Sequence, residues 1–150
     1  MLTLKSIAPE EAPLELLLEA DPSEENVRRY LAESTCYLAE EDGLAVAICV
    51  LGPVRDGRVE LFYIAVRPDF QKQGIGTQLL EYVIQQAGQS GAECIELGTG
   101  TFGYQLAFYQ RAGFRVDSIT KNFFTDNYDE PIFELGIQLR DMLRLVLQLN

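Results

Sequence analysis

Leu2-Thr3-Leu4-Lys5-Ser6-Ile7 alternates apolar and polar residues, the period-two signature of a strand with one covered face. From about Glu10 the period lengthens, placing Leu14, Leu17 and Leu18 on one helical face that is expected to end near Asp21-Pro22. Asp21 is then the expected cap of a second helix, with Pro22 at its first position and Glu24 three residues beyond the cap. Val27, Tyr30 and Leu31 supply that helix with an apolar stripe. Cys36 to Glu40 and Leu44 to Leu51 read as a hairpin turning at Glu41-Asp42-Gly43, whose glycine supplies positive φ. Arg58 to Val66 is a long, strongly apolar strand, in which simple alternation places Glu60, Phe62, Ile64 and Val66 on one face.

Ile75, Leu79, Val83 and Ala87 recur every four residues, so a helix is predicted from about Gly74 to Ala87, with Gly88 and Gly91 available to end it. Glu93 to Leu97 reads as a strand and Gly98-Thr99-Gly100-Thr101 as a flexible loop. A short helix over Tyr104 to Ala112 is stopped by Gly113, and Phe114 to Ile119 and Asp141 to Leu147 are the last expected strands. The aromatic, acidic stretch between them, residues 122–138, is too long for an ordinary turn and is expected to be functional or interfacial. Early antiparallel hairpins followed by strand–helix–strand units predict an α/β domain with a mixed sheet.

Composition narrows the setting. With 150 residues, 47% of them apolar, one domain spanning 1–150 is expected. Charges interrupt every apolar run before the roughly 18 residues a membrane helix needs, and Met1 to Lys5 lacks the basic-then-apolar order of a signal peptide, so a soluble cytoplasmic protein without a membrane partner is expected. A net charge of −11 repels nucleic acid and favours cationic partners. Cys36, Cys49 and Cys94 stand singly, and the chain has no histidine, so no zinc site and no His-activated nucleophile is expected. Acid–base work falls to Glu, Asp, Tyr, Lys or water.

The densest chemistry lies between the long strand and the third helix, in Gln71-Lys72-Gln73-Gly74-Ile75-Gly76-Thr77. Two glycines let the backbone approach a ligand closely, and the helix that follows directs unpaired N–H groups to the same place, which suits an anion. Glycines at such junctions also serve plain turns, and neither the P-loop Gly-Lys-Ser/Thr nor the third glycine of the dinucleotide fingerprint is present.

Gln71-Lys72-Gln73-Gly74-Ile75-Gly76 resembles the Q/R-x-x-G-x-G/A pattern of the GNAT superfamily of acetyl-CoA-dependent N-acetyltransferases. A second element of that family, a short helix with a tyrosine ahead of a Gly-Phe strand start, is matched by Leu106-Ala107-Phe108-Tyr109-Gln110-Arg111-Ala112-Gly113-Phe114. The two occur in family order roughly 35 residues apart, and the resemblance, which spans nearly the whole chain, extends to bacterial aminoglycoside 6′-acetyltransferase-like sequences. It implies a GNAT fold with a mixed central sheet of about seven strands.

The resemblance also implies roles. Acetyl-CoA is the cofactor, its pyrophosphate on the N–H groups of Gln71, Lys72, Gln73, Gly74, Ile75, Gly76 and Thr77, and its pantetheine arm beside Ile64, Ala65 and Val66. Tyr109 protonates the departing thiolate, and Glu60, or an ordered water, takes the proton of the acceptor amine. On the apolar face expected for it, Glu60 would have a raised pKa. The family's asparagine seven residues before the tyrosine is replaced by Phe102, and its polar role passes to Thr99 or Thr101 or is absent. Phe124, Tyr128, Asp126 and Asp129 combine aromatic surface with carboxylate, which suits a small cationic amine; the same segment equally suits a homodimer interface. The expected reaction is direct acetyl transfer to a primary amine, the alternatives being a protein or peptide N-acetyltransferase and an acetyl-CoA-binding sensor without turnover.

Overall fold

The computed structural model describes residues 1–149. Its strands are β1 (Leu2–Ile7), β2 (Thr35–Glu41), β3 (Leu44–Leu51), β4 (Arg58–Val66), β5 (Cys94–Gly100), β6 (Arg115–Thr120), β7 (Phe133–Glu134), β8 (Ile137–Gln138) and β9 (Met142–Gln148). The helices are α1 (Leu14–Ala20), α2 (Glu24–Leu31), α3 (Ile75–Gln89), α4 (Tyr104–Arg111) and α5 (Phe123–Asn127). Seven strands form one mixed sheet in the order β1-β2-β3-β4-β5-β9-β6, and β7 and β8 form a separate hairpin. This is the α/β arrangement expected of the sequence. The chain divides into two compact units, the first Met1–Ile95 with Leu149, the second built on Glu96–Gln148.

In the first unit β1 pairs antiparallel with β2, β2 with β3 and β3 with β4, and α1 and α2 cover one face. Leu16, Leu17 and Val27 from the helices meet Cys36, Leu38, Ile48, Val50, Tyr63 and Ala65 from the strands. Tyr37, on the opposite face, packs edge-on against Tyr82 of α3, with ring centroids 5.7 Å apart. The α1–α2 connection departs from expectation: Ser23, not Asp21, caps α2, accepting from the Asn26 N–H at 3.2 Å. Asp21 is instead buried, its two oxygens accepting from the Ser23 N–H at 2.9 Å and the Tyr63 hydroxyl at 3.0 Å. A carboxylate enclosed by a core stays there only when hydrogen-bonded, and this one ties the connection to β4.

β4 carries the most consequential irregularity. Tyr63 pairs with Val50 and Leu61 with Leu51, so Phe62 is an extra residue and the strand bulges there. Paired residues of an antiparallel ladder share a face, so Leu61 joins Ile64, whereas Glu60 falls on the side of Phe62, Tyr63 and Ala65. The expected common face of Glu60, Phe62, Ile64 and Val66 is therefore broken. Alternation fails because the bulge adds one residue between Glu60 and Ile64.

In the second unit β6 pairs antiparallel with β9, and a further register shift lies between Val116 and Ser118. The loop expected at Gly98 to Thr101 is largely strand, since β5 continues to Gly100. A Cβ on Gly98 would lie 2.3 Å from the sulfur of Met142, and one on Gly100 would lie 2.8 Å from Leu139 Cδ2. These glycines serve close packing rather than flexibility.

Candidate active site

At the end of β4 the chain makes a 3₁₀ turn over Pro68–Phe70 and enters α3 through Gly74. Arg67 fixes the strand end: its N–H donates to the Val46 carbonyl at 2.8 Å, its Nε to Ala45 O, and its Nη2 to a Glu15 carboxylate oxygen at 3.2 Å. Gln71 folds back, its side-chain amide donating to the Val66 carbonyl at 3.0 Å, which ties the loop to the strand that precedes it. None of these contacts has a signature in the sequence, since they are made to backbone or to distant residues.

Lys72 has φ 64 and Gly74 φ 80, both left-handed, and alternation of such conformations turns successive N–H groups toward one side. Gln78 N–H donates to the Gly74 carbonyl at 3.1 Å, closing the first turn and leaving Ile75, Gly76 and Thr77 N–H groups directed out of the helix end. The space where a Gly74 Cβ would stand is open, with nothing within 4 Å. Gln71 N–H is turned to the Pro68 carbonyl at 3.4 Å, so, unlike the expected set, it closes the turn and is not directed to the loop. Lys72, Gln73 and Thr77 are exposed, whereas Ile75 is buried as the first apolar contact of α3. Ile64 and Ala65 bury their side chains and Val66 is half-buried, so recognition along β4 falls to backbone groups. Glu60 is half-buried, one residue before the bulged segment.

In the second unit Tyr109 is buried in α4, its ring edge-on to Phe114 at 5.8 Å between centroids. The Phe114 N–H returns to the Tyr109 carbonyl at 3.1 Å, closing the helix before β6. Phe124 and Tyr128 lie together with centroids 6.0 Å apart, while Asp126 and Asp129 are exposed beside them. The stretch 122–138, too long for an ordinary turn, contains α5 and the β7–β8 hairpin. Phe124 N–H donates to the Arg140 carbonyl at 2.9 Å and Asn122 N–H to Asp141 at 2.9 Å, which fasten α5 to the segment leading into β9.

The cysteines are all unpaired and buried. Burial pushes the Cys36 thiol up to about 11 and raises Cys49 further, so neither presents a thiolate near neutral pH. Among the described residues no group of three or more acidic, cysteine or histidine side chains is arranged to hold a metal ion. No helix among them is long and apolar enough to cross a membrane.

A strand ending in a glycine-headed helix, with unpaired N–H groups gathered at the junction, suits a phosphorylated ligand. The sequence profile of the Acetyltransferase (GNAT) family matches residues 4–114, and the chain belongs to that family. An uncharacterised N-acetyltransferase of Bacillus subtilis, YvbK, is 46% identical over 136 residues, covering 90% of this chain and 88% of that one. An IAA acetyltransferase from Bacillus cereus superposes with a TM-score of 0.94 at 38% identity, covering 99% of each chain. A GNAT family acetyltransferase from Elizabethkingia anophelis, solved with acetyl-CoA bound, superposes with a TM-score of 0.93 at 42% identity over 98% of this chain and 97% of that one.

The protein is thus an acetyltransferase, and acetyl-CoA is the acetyl donor of its family. The loop fits that donor on its own chemistry: it offers backbone N–H groups to a pyrophosphate, leaves room above Gly74, and places no acidic side chain between Phe70 and Thr77.

Proposed function

We propose that this protein moves the acetyl group of acetyl-CoA directly to the primary amine of a small cationic acceptor. The observation that carries the reading is the left-handed Gly74 at the head of α3, joined to the end of β4 through the Gln71 to Val66 hydrogen bond. This junction offers a phosphate nest and a strand end in one short segment, and acetyl-CoA needs both. In this reading the N–H groups from Lys72 to Thr77 hold the pyrophosphate, Gln71 ties the loop to the strand end, Lys72 adds a point charge, and the backbone of Ile64, Ala65 and Val66 aligns the pantetheine arm. The donor supplies an activated acyl group; the chain supplies position and proton transfer.

The acceptor must be neutral to attack, yet an alkylamine with a pKa of about 10.4 is protonated near neutral pH. Glu60, or a water it orders, takes that proton, and the bulge at Phe62 directs the carboxylate to the α1–α2 face of β4. Tyr109 donates its phenolic proton to the departing thiolate. The buried thiols support direct transfer, because an acyl-cysteine route needs a thiolate that Cys36 and Cys49 do not offer.

Phe124 and Tyr128 give the acceptor aromatic faces, and Asp126 and Asp129 give it charge; an aminoglycoside is one amine that would satisfy both. The net charge of −11 draws such cations toward the protein. Phe133, Leu135 and Ile137 expose apolar side chains on the β7–β8 hairpin, the feature that supports a homodimer. Three unpaired thiols match a reducing, cytoplasmic setting.

The test is release of free coenzyme A thiol when the protein is given acetyl-CoA and, in turn, polyamines, aminoglycosides, amino acids and peptides. Acceptor-dependent release with small cationic amines is expected. Tight binding of acetyl-CoA without release for any acceptor would replace the enzyme by a sensor, and release with peptides alone would replace the small acceptor by a protein.

A further inference from the structure

Glycine heads both α3 and α4, and the two heads differ in what stands over them. The place where a Gly74 Cβ would stand is open, with nothing within 4 Å. Over Gly103 the same place is filled by the Glu134 side chain, its carboxyl carbon 3.0 Å away and one carboxylate oxygen nearer still. Gly103 has φ 104 and ψ −176, a combination that essentially only glycine adopts, so the residue supplies both the backbone turn and the room for that carboxylate.

α4 lacks a cap of its own. The N–H groups of Tyr104, Gln105 and Leu106 precede the first bond of the helix, a long one of 3.5 Å from Ala107 N–H to the Gly103 carbonyl, and the N-cap residue that would ordinarily accept from them has no side chain. A carboxylate is the group a helix head favours, and Glu134 brings one from β7. The hairpin fixes its direction. Glu134 pairs with Ile137 across a two-residue turn in which Leu135 and Gly136 are both left-handed, at φ 55 and 75, and Leu139 N–H donates to the Ile132 carbonyl at 2.8 Å at the base. Leu139 in turn rests on Gly100. The other end of α4 is held separately, by the Phe114 N–H on the Tyr109 carbonyl and the Phe114 ring on the Tyr109 ring. A helix of eight residues is too short to hold its shape alone, so these two ends set where Tyr109 stands.

We propose that Glu134 is a positioning residue for Tyr109: its carboxylate takes the place of the missing N-cap side chain of α4, and through the helix it holds the phenol where proton donation requires it. This rests on the reading of Tyr109 as the donor of a proton to the departing thiolate. Glu134 itself transfers no proton and touches no substrate. It gives the hairpin of the 122–138 stretch a task separate from recognition of the acceptor.

Glu134→Ala and Glu134→Gln test the assignment in three ways, with thermal unfolding used to confirm that each variant folds. Hydrogen exchange reads the cap: the Tyr104, Gln105 and Leu106 amides are expected to exchange about tenfold faster in Glu134→Ala, and no more than about twofold faster in Glu134→Gln, which keeps an oxygen acceptor. Ring resonances of isotope-labelled tyrosine read its consequence: the Tyr109 signal, assigned by its loss in Tyr109→Phe, is expected to shift in Glu134→Ala and to return in Glu134→Gln. Thiol release from acetyl-CoA with spermine reads the chemistry. Here kcat is expected to fall about fivefold in Glu134→Ala with KM for acetyl-CoA and for spermine unchanged, and a Glu134→Ala, Tyr109→Phe double variant is expected to match Tyr109→Phe. Unchanged exchange at 104–106 or an unmoved Tyr109 signal would overturn the proposal. So would a loss of kcat that persists in full in the double variant, or a change confined to the spermine KM, which would make Glu134 an acceptor ligand. Wild-type protein that releases no thiol with spermine, or a Tyr109→Phe variant as active as the wild type, counts against the functional reading instead, while exchange and the Tyr109 signal still decide whether Glu134 places the tyrosine.

Discussion

The loop from Gln71 to Thr77 and the segment from Asn122 to Gln138 are both candidate binding regions, yet they are built from different materials. The loop works through backbone: left-handed Lys72 and Gly74 and a helix end gather N–H groups, and most of its side chains are exposed. The segment works through side chains, with Phe124 and Tyr128 in contact and Asp126 and Asp129 exposed on a five-residue helix. A backbone nest needs glycine at fixed positions, so it leaves a short, recognisable spacing in the sequence. A side-chain surface can be made by many residue combinations. That is why the loop's spacing points to an anion and, through the family it resembles, to acetyl-CoA, whereas the 122–138 segment points only to a cationic, aromatic-binding acceptor.

This contrast can be broken experimentally. The largest effect belongs to neither region: Tyr109→Phe keeps the buried ring but removes the proton, and steady-state kinetics should show kcat lowered about a hundredfold with little change in KM for acetyl-CoA. A change confined to KM would mean that Tyr109 orients the donor and transfers no proton. In the acceptor segment, the Asp126→Asn, Asp129→Asn double variant should raise the acceptor KM by roughly threefold at low salt, and the difference should fade as ionic strength rises. Unaltered acceptor KM at low salt would remove these carboxylates from recognition. Smallest of all is the expected effect on activity of Cys36→Ala or Cys49→Ala, each assayed separately with stability checked alongside. At pH 8 a thiol with pKa about 11 is roughly one part in a thousand thiolate, so the native protein should also react slowly at Cys36 with a disulfide reagent and quickly once unfolded.

The same contrast explains what was legible in the sequence. The apolar run Arg58 to Val66 and the four-residue recurrence behind α3 gave those elements nearly to the residue, because periodicity reports burial directly. The bulge at Phe62 was invisible. Its extra residue lies among consecutive apolar positions, Leu61, Phe62, Tyr63 and Ile64, where no polar residue marks a change of face. Glu60 was therefore assigned to the wrong side of the strand, although it stands where the resemblance places it along the chain. Asp21 looked like a helix cap because Asp-Pro commonly is one, but a tyrosine 42 positions away claims it. Gly98 and Gly100 signalled freedom, and their role is contact with Met142 and Leu139, a property of β9 and the residues before it that the local sequence does not contain.

Coenzyme A titration of two variants tests most directly the proposed backbone recognition of the acetyl donor at the β4–α3 junction. Gly74 sits at φ 80 and a Cβ there has no heavy atom within 4 Å, so Gly74→Val acts chiefly by placing a β-branched residue in the left-handed region, at about 1–2 kcal/mol. Lys72→Ala removes a side chain while leaving the loop its N–H groups. The prediction is a loss of about tenfold in coenzyme A affinity for Gly74→Val and no more than about threefold for Lys72→Ala. The reverse order, with the lysine dominant and Gly74→Val binding as the wild type does, would show that charge and not the backbone nest holds the donor.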